Sequence, residues 1–356
     1  MGIRKTFKYR LYPTRTQEAT LERWLGLCRR LYNACLEQRQ IAYQMGYRVS
    51  KFDQMRELPH LKAEFPEYRE VDAQALQDVV ERLDKSFQRF FAGAGYPKFQ
   101  GRNRYLSITF KQTSWKLKGG RLHLRGCGAV KVKWSRPIEG TIKTVTIKRT
   151  KTGKWFVCFS CDNVPPTQYP ATTARVGIDL GISVLVTTSD GEKFENARYL
   201  KAKLKQLRRL QRQLARQKNK QSKRRQKTIR RIQRLHEKIA NQRRDAHHKA
   251  STSLVRRYSL IVHEDISPQF MLRNRRLARE AADVGWRQFL TFLQRKAAAA
   301  GRKVVAVNPA NTSQLCSGCG QIVPKKLSDR WHLCPHCGTS LDRDHNAAIN
   351  ILRLAG

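Results

Sequence analysis

Three acidic residues lie in segments whose other residues are mostly apolar. Asp179 is inside VGIDLGI, Glu264 ends the strand pattern LIVHE, and Asp344 lies in LDRDHNAAINI, where the last helical pattern begins. An ionised carboxylate in apolar surroundings costs free energy unless a cation or hydrogen-bond donors replace its lost hydration. The chain must therefore fold so that each of these acids meets such a partner.

The order of the secondary-structure patterns predicts how these acids meet. A strand with Asp179 is followed by a short meander, helices in 196–250, a strand with Glu264 and a helix with Asp344. This order matches an RNase H-like fold, whose central sheet brings three distant acids to one edge. We therefore predict a catalytic cluster of Asp179, Glu264 and Asp344 that binds two Mg²⁺ ions about 4 Å apart and hydrolyses phosphodiesters. Because Mg²⁺ prefers oxygen ligands and keeps several waters, no histidine or cysteine ligand is needed.

Each of the three acids also has an ordinary structural interpretation. Asp179 could cap a turn, Glu264 could simply end its strand, and Asp344 could be the N-cap of the last helix. The neighbouring acids Asp265 and Asp342 could take a place in the cluster instead. We favour Asp344 over Asp342 because Asp344 lies nearer to the helix.

Four cysteines form two Cys-x-x-Cys pairs near the C-terminal end of the chain. Cys316 and Cys319 form the first pair, Cys334 and Cys337 form the second, and a glycine follows each pair. Each pair directs two thiolates at one point, and four thiolates complete a closed, tetrahedral Zn²⁺ site of the structural type. We predict that these four cysteines bind Zn²⁺; replacement of one of them by His336 is the weaker alternative.

Cys158 and Cys161 have the same spacing, but they lie in the strand pattern FVCFSC. Residues i and i+3 of a strand point to opposite faces of the sheet, so these two thiols cannot converge on one ion. We interpret them as packing residues. The nine cysteines of the chain are an odd number, which is typical of metal use in a reducing compartment rather than of a disulfide framework.

The charge of the chain indicates the class of its partner. The 72 lysines and arginines face only 27 acids, a formal net charge of +45, and so large an excess repels itself unless a polyanion neutralises it. Nucleic acid is the polyanion that we expect, since membrane binding usually uses a short basic helix with an apolar face. No apolar run reaches the ~20 residues of a membrane span, and the first residues lack a signal-peptide core. We therefore expect an intracellular, cytoplasmic protein without a membrane partner.

The first half of the chain changes its hydrophobic period twice. Residues 1–14 alternate as a strand, helical spacing follows in 16–44 and 72–91, and short alternating runs return in 105–163. These runs predict five strands of a small barrel or sandwich, to which the first strand also belongs. The helices are then an insertion, and the proline-rich segment 164–170 is the clearest domain boundary.

Residues 196–250 form a long basic helical pattern. Its apolar residues make two seams separated by the polar stretch 217–223, which predicts a helical hairpin with its tip at that stretch. The only acids between Arg198 and Lys249 are Glu237 and Asp245. Because salt bridges within the helices are nearly absent, we expect this hairpin to contact a phosphate backbone.

Taken together, these segments resemble a known protein family. The segments FKYRLYPTRTQEATLERWLGLCRRLYN, GYPKFQGR, VGIDLG, HEDI, TSQLCSGCG, CPHCG and DRDHNAAINIL are similar to TnpB, the transposon-encoded OrfB family related to compact type V CRISPR nucleases. The resemblance covers nearly the whole chain, and the motifs follow the order of the family.

The resemblance implies an RNA-guided DNA endonuclease with one RuvC-like site. Its partners would be a noncoding guide RNA from the transposon end and double-stranded DNA carrying a short motif beside the target, with one chain per RNA. Asp179, Glu264 and Asp344 correspond to the catalytic acids of the family. The implied domains are a wedge β-barrel (1–14 and 105–168), a helical recognition domain (15–104), a RuvC-like domain (171–313 and 341–356) and a zinc ribbon (314–340).

The predicted fold class is therefore a multidomain α+β protein: a β-barrel with a helical insertion and an RNase H-like α/β domain interrupted by a zinc ribbon. Three other functions are compatible with parts of the pattern. An RNA-guided repressor would be expected to have lost its acids, whereas a DNA-strand transferase uses a similar triad. A plain zinc-ribbon DNA-binding protein leaves the acids without a role.

Overall fold

The computed structural model describes residues 2–111, 114–265, 277–326 and 329–355. The chain divides into two compact units, Met1–Pro165 and Pro166–Gly356. The division falls within the proline-rich segment 164–170, where two consecutive prolines lack the N–H groups that a helix or a central strand requires.

The first unit contains a barrel-like, antiparallel sheet of seven strands in the order β2-β6-β7-β1-β5-β4-β3. The strands are β1 (Ile3–Tyr12), β2 (Ser107–Phe110), β3 (Trp115–Lys118), β4 (Arg121–Leu124), β5 (Gly128–Lys133), β6 (Thr141–Arg149) and β7 (Trp155–Val164). β1 pairs with β7 and β5, with Phe7 opposite Phe159. The prediction that the first strand belongs with the later ones is confirmed.

The sequence pattern gave one strand too few, because it missed β3. This strand has only four residues, lies at the edge of the sheet and leaves Leu117 38% exposed, so its alternation is hard to distinguish from a loop. Cys161 is fully buried on β7 while Cys158 lies on the other face of that strand, as predicted for packing residues. Gln112, the last residue of the predicted strand SITFKQ, lies outside the described residues.

Between β1 and β2 lies the helical insertion. It consists of α1 (Arg15–Gln44), α2 (Lys51–Arg56), α3 (Leu58–Glu64), a 3-10 turn (Pro66–Glu70) and α4 (Ala73–Phe91). Thr14 begins α1 with a reciprocal capping box to Gln17, and Asp72 caps α4. The apolar faces of α1 and α4 share one hydrophobic core with the sheet, which confirms the two helices that the periodicity predicted.

The second unit contains a mixed sheet of five strands in the order β10-β9-β8-β11-β12. The strands are β8 (Arg175–Asp179), β9 (Val184–Thr188), β10 (Lys193–Glu195), β11 (Leu260–Glu264) and β12 (Lys303–Val307). β8, β9 and β10 form an antiparallel meander, whereas β11 runs parallel to both β8 and β12. Apolar residues of these strands and of the helices beside them form a second core.

The described part of this unit contains the helices α5 (Tyr199–Arg216), α6 (Lys223–Arg257), α7 (Ala278–Val284), α8 (Trp286–Ala299) and α9 (Arg343–Arg353). α5 and α6 form the predicted hairpin, which turns at residues 217–222 and has a small core of its own. A short hairpin of β13 (Trp331–Leu333) and β14 (Ser340–Asp342) precedes α9. Within the described residues, no helix is both long and apolar enough to cross a membrane.

Candidate active site

Two of the predicted acids lie at the carboxyl ends of neighbouring parallel strands. Ile178 of β8 is in register with His263 of β11, so Asp179 and Glu264 follow at the same level of the sheet. Adjacent strands are about 4.8 Å apart, and side chains alternate between the two faces. Asp179 and Glu264 therefore leave the sheet on the same face, opposite to the face of Ile178 and His263.

The third acid reaches this place through a close contact between helix α9 and strand β8. A Cβ at Gly177 would lie 2.1 Å from the carbonyl oxygen of Ala348 and 2.7 Å from the backbone nitrogen of Leu352, so the helix lies directly on the strand. Gly177 is two residues before Asp179 and shares its face, and Asp344 is one helical turn before Ala348. The contact thus brings Asp344 toward the end of β8.

The three acids interact electrostatically. Burial, reinforced by the negative charges of Glu264 and Asp344, raises the pKa of Asp179 to about 8, and the positive charge of Arg343 offsets this only in part. Burial also raises the pKa of Glu264, against the opposing effect of a hydrogen bond from Thr312. The structure therefore places Glu264 and Asp344 close enough to Asp179 for their charges to oppose its ionisation.

The protein neutralises this cluster only in part. The charge of Arg343 reaches Asp179 but leaves its pKa raised, and Lys193 forms its ion pair with Asp342 rather than with one of the three acids. Such a concentration of carboxylates is unfavourable alone and is relieved by a divalent cation, for which oxygen ligands suit Mg²⁺. The three carboxylates do not all lie within 4.8 Å of one another, so one ion could not contact all three in this arrangement.

The neighbouring acids have other roles. The carboxylate of Asp342 caps α9, accepting hydrogen bonds from the backbone nitrogens of Asp344 and His345 at 2.9 and 3.2 Å, and forms an ion pair with Lys193 at 2.9 Å. Asp265 is exposed beyond the end of β11. The N-cap role considered for Asp344 thus belongs to Asp342, which leaves the Asp344 side chain available to the cluster.

The four cysteines converge on one point. The Sγ atoms of Cys316 and Cys337 are 3.6 Å apart, as are those of Cys319 and Cys334, and all four lie within 4.8 Å of one another. A tetrahedral ion with Zn–S bonds of about 2.3 Å requires S···S separations of about 3.8 Å. The four thiolates therefore fit a structural Zn²⁺ ion, and His336 is not part of the cluster.

We expect the purified protein to contain about one zinc ion per chain, measured by elemental analysis. Cys334→Ser should lose most of this zinc and lower the unfolding temperature, because a structural zinc site contributes directly to folding. Cys158→Ala is the matched control, since this half-buried thiol lies outside the cluster, and it should retain the zinc. Full zinc content in Cys334→Ser would contradict the assignment.

The basic hairpin carries a concave surface near its tip. Arg209, Arg212, Arg216 and Arg224 line this recess of about 530 Å³ together with two glutamines. Guanidinium groups donate several hydrogen bonds in a fixed geometry that matches phosphate oxygens. The recess is accordingly a candidate site for a nucleic-acid backbone.

Comparisons with known proteins identify families and relatives to which the chain is similar. Family models match residues 158–275 ("Probable transposase", OrfB), 1–47 ("Helix-turn-helix domain") and 286–351 ("Cas12f1-like, TNB domain"). A Streptomyces pristinaespiralis protein named "Putative RNA-guided DNA endonuclease" is 38% identical over 98% of this chain and 89% of its own length. The chain belongs to the TnpB family. Another relative, "Putative RNA-guided DNA endonuclease InsQ" of Escherichia coli K12, is 32% identical over 98% of this chain and 91% of that protein.

One family model and one solved structure bear on the fold of this TnpB protein. The name helix-turn-helix does not describe its residues 1–47, which form strand β1 and the single long helix α1. The solved "Structure of the mini-RNA-guided endonuclease CRISPR-Cas_phi3" has a TM-score of 0.50 at 11% identity and covers 99% of this chain and 92% of that one. At this identity, the likeness shows a shared fold and nothing further.

Sequence reasoning about this TnpB protein missed two residues at the site. The motif VGIDLG contains Gly177 but gives it no role of its own, although a glycine inside an apolar strand often marks a close backbone approach. The segment TSQLC contains Thr312, and no local pattern signals that its hydroxyl donates to the carboxylate of Glu264.

Proposed function

We propose that this TnpB protein is an RNA-guided DNA endonuclease whose Asp179, Glu264 and Asp344 hold Mg²⁺. The observation that carries the proposal is the convergence of three acids from separate elements, where burial and their mutual charges raise the pKa of Asp179 despite the nearby Arg343. Groups with strongly shifted pKa values are concentrated at functional sites, because catalysis needs such shifts. The names of the relatives at 38% and 32% identity support the same activity.

The arrangement of the second unit suits the proposed RuvC-like, RNase H-like domain. An antiparallel meander is followed by two parallel strands, and the acids lie at the carboxyl ends of two neighbouring strands and at the start of a helix packed on one of them. We assign residues 171–313 and 341–356 to this nuclease domain and 314–340 to the zinc ribbon. We assign 1–14 with 105–168 to the wedge domain, which extends three residues past the end of the first unit, and 15–104 to the recognition domain.

The proposed reaction is hydrolysis of a DNA phosphodiester. The carboxylates of Asp179, Glu264 and Asp344 provide oxygen ligands on one face of the sheet, and burial partly removes those of Asp179 and Glu264 from bulk water. Bound Mg²⁺ supplies activation of a water molecule and stabilisation of the leaving 3′ oxygen, with two ions as the proposed arrangement.

The proposed partners are a noncoding guide RNA from the transposon end and a double-stranded DNA target. The charge of +45 supports polyanion binding, and the arginines of the hairpin recess offer contacts to a phosphate backbone. Base pairing between guide and target then provides most of the sequence specificity, while protein groups read a short motif beside the target.

The test is to express the protein with its native flanking DNA, sequence the RNA that copurifies, and assay cleavage of matching DNA. We expect cleavage that requires Mg²⁺, stops when the RNA is digested, and is absent on DNA without a matching sequence. Cleavage that persists after RNA digestion would contradict RNA guidance. Joined DNA products instead of free ends would favour the alternative that the family description "Probable transposase" names.

A second expectation concerns the hairpin recess. Arg209→Ala combined with Arg212→Ala should weaken RNA binding and lower the slope of log affinity against log salt by up to about 0.7–0.9 for each phosphate that the variant no longer neutralises. The control pair is Arg287→Ala with Arg295→Ala, two exposed arginines of α8 outside the recess. Binding isotherms at several salt concentrations measure both; equal slopes for the two pairs would exclude a specific role for the recess.

A further inference from the structure

Among the described residues, the carboxylate of Glu264 has one hydrogen-bonding side-chain partner. This partner is Thr312, which is 2% exposed and whose hydroxyl donates a hydrogen bond to Oε1 of Glu264. The carbonyl oxygen of Pro309 lies 3.2 Å from the same hydroxyl, but a hydroxyl has one proton, and a charged acceptor makes the stronger bond. The hydroxyl therefore holds the carboxylate in place.

The backbone around Thr312 is fastened to helix α9. The side-chain amide of Asn350 donates to the carbonyl oxygens of Thr312 and Leu315 at 2.9 and 2.8 Å. One turn earlier, the fully buried Asn346 donates to Leu315 at 2.7 Å and accepts from the backbone nitrogen of Ser317 at 2.9 Å. Both asparagines lie on the same side of α9, and Asp344 lies in the first turn of this helix.

The turn that presents Thr312 is itself closely defined. The preceding residue, Asn311, has a left-handed backbone with a φ of 60°, a conformation that asparagine tolerates better than most residues. Its carbonyl oxygen accepts hydrogen bonds from the backbone nitrogens of Gln314 and Leu315, both at 2.9 Å. The position of the Thr312 hydroxyl is thus set by backbone contacts on both sides.

From this geometry we infer that Thr312 is a positioning residue: it fixes the Glu264 carboxylate relative to Asp344 by joining strand β11 to helix α9. The inference rests on the proposed function, in which Glu264 is a Mg²⁺ ligand. The two acids come from elements 80 residues apart in sequence, and Glu264 ends its strand with a flexible side chain. Loss of a hydrogen bond that orients a metal ligand typically lowers metal affinity or activity by about 10–100-fold.

Three variants test this role. Thr312→Val removes the hydroxyl while nearly keeping the side-chain shape, and Thr312→Ser keeps the hydroxyl. Thr291→Val is the control, because Thr291 is half-buried on α8, outside the basic hairpin, and its hydroxyl donates to the backbone of its own helix at Arg287. Cleavage by the RNA complex is measured against Mg²⁺ concentration, with unfolding temperature and RNA binding measured in parallel.

For Thr312→Val we expect about a 10–100-fold loss of cleavage rate at fixed Mg²⁺ or a comparable rise in the half-saturating Mg²⁺ concentration. Thr312→Ser should recover most of the loss, and Thr291→Val should leave both quantities at the parent values. RNA binding should be unchanged in all three. Parent-like Mg²⁺ dependence in Thr312→Val would overturn the inference, and so would a Thr312→Ser protein as impaired as Thr312→Val.

A measurement without DNA separates this inference from the proposed function. Mn²⁺ bound to the RNA-free protein is measured by electron paramagnetic resonance, with Mn²⁺ as the probe. Weaker binding in Thr312→Val, but no further weakening when Thr312→Val is added to Glu264→Gln, supports positioning through Glu264. If the parent binds Mn²⁺ but cuts no DNA, the endonuclease proposal fails, while the Mn²⁺ affinities still decide the role of Thr312. Equal Mn²⁺ affinities of the parent and Thr312→Val would overturn the positioning role of Thr312.

Discussion

Asp179→Asn is expected to reduce DNA cleavage by roughly 10³-fold or more, a loss typical of single groups at a catalytic centre. The substitution keeps the shape of the side chain but removes the charge that a Mg²⁺ ligand needs. Guide RNA should copurify with the variant as it does with the parent, because Asp179 is half-buried in the sheet of the second unit and is not on the basic hairpin. Cleavage assays with equal amounts of RNA complex measure the effect.

The same substitution carries its own control for folding. The pKa of Asp179 is raised from 3.8 to about 8, so between these values the metal-free folded protein keeps a proton that the unfolded chain releases. The contribution of Asp179 to stability therefore falls as the pH rises from about 4 to about 8. Without Mg²⁺ at about pH 8, Asp179→Asn should unfold at a temperature equal to or above that of the parent. A clearly lower unfolding temperature, or parent-like cleavage, would contradict the role given to Asp179.

Gly177→Ala is expected to destabilise the second unit by about 3 kcal/mol or more, since inserted methylene groups in a packed core already cost about 1–3 kcal/mol. Here the added Cβ would lie 2.1 Å from a carbonyl oxygen of helix α9, and backbone cannot move aside as a flexible side chain can. Helix α9 must shift away from β8, which also displaces Asp344. Cleavage should therefore fall together with the free energy of unfolding measured by denaturant titration.

Gly26→Ala is the matched control for that substitution. Gly26 lies within helix α1, and a Cβ there would meet no atom within 4 Å apart from its chain neighbours and the backbone of its own helix. Because glycine lowers helix stability relative to alanine, this change should be neutral or stabilising by up to about 1 kcal/mol. If Gly177→Ala behaved like Gly26→Ala, the close packing of α9 on β8 would not be what places Asp344.

Much of the secondary structure was predictable because burial imposes a period on the chain. Apolar residues at helical spacing predicted α1 and α4, and alternation predicted β1 and most of the later strands. β3 escaped because a four-residue edge strand with an exposed Leu117 leaves little pattern. The zinc cluster was predictable for a different reason: two Cys-x-x-Cys turns determine the convergence of their own thiolates.

The candidate acids were recognisable because carboxylates are costly in apolar segments. The same reasoning could not distinguish them from the acids beside them in sequence. Asp342 and Asp344 are two residues apart, and only the hydrogen bonds that Asp342 accepts from the first turn of α9 assign the capping role to it. An acid beside a helix start suits either role until the position of the first turn is known.

Local pattern thus accounts for most of the elements, for the convergence of the four cysteines and for the choice of the three acids as candidates. The contact of Gly177 with α9 and the hydrogen bond from Thr312 to Glu264, 48 residues away in sequence, follow from neither period nor motif. Apolar burial has no preferred direction, so local sequence does not determine which elements come into contact. The contacts between backbone segments depend on the close packing of all elements of the unit together.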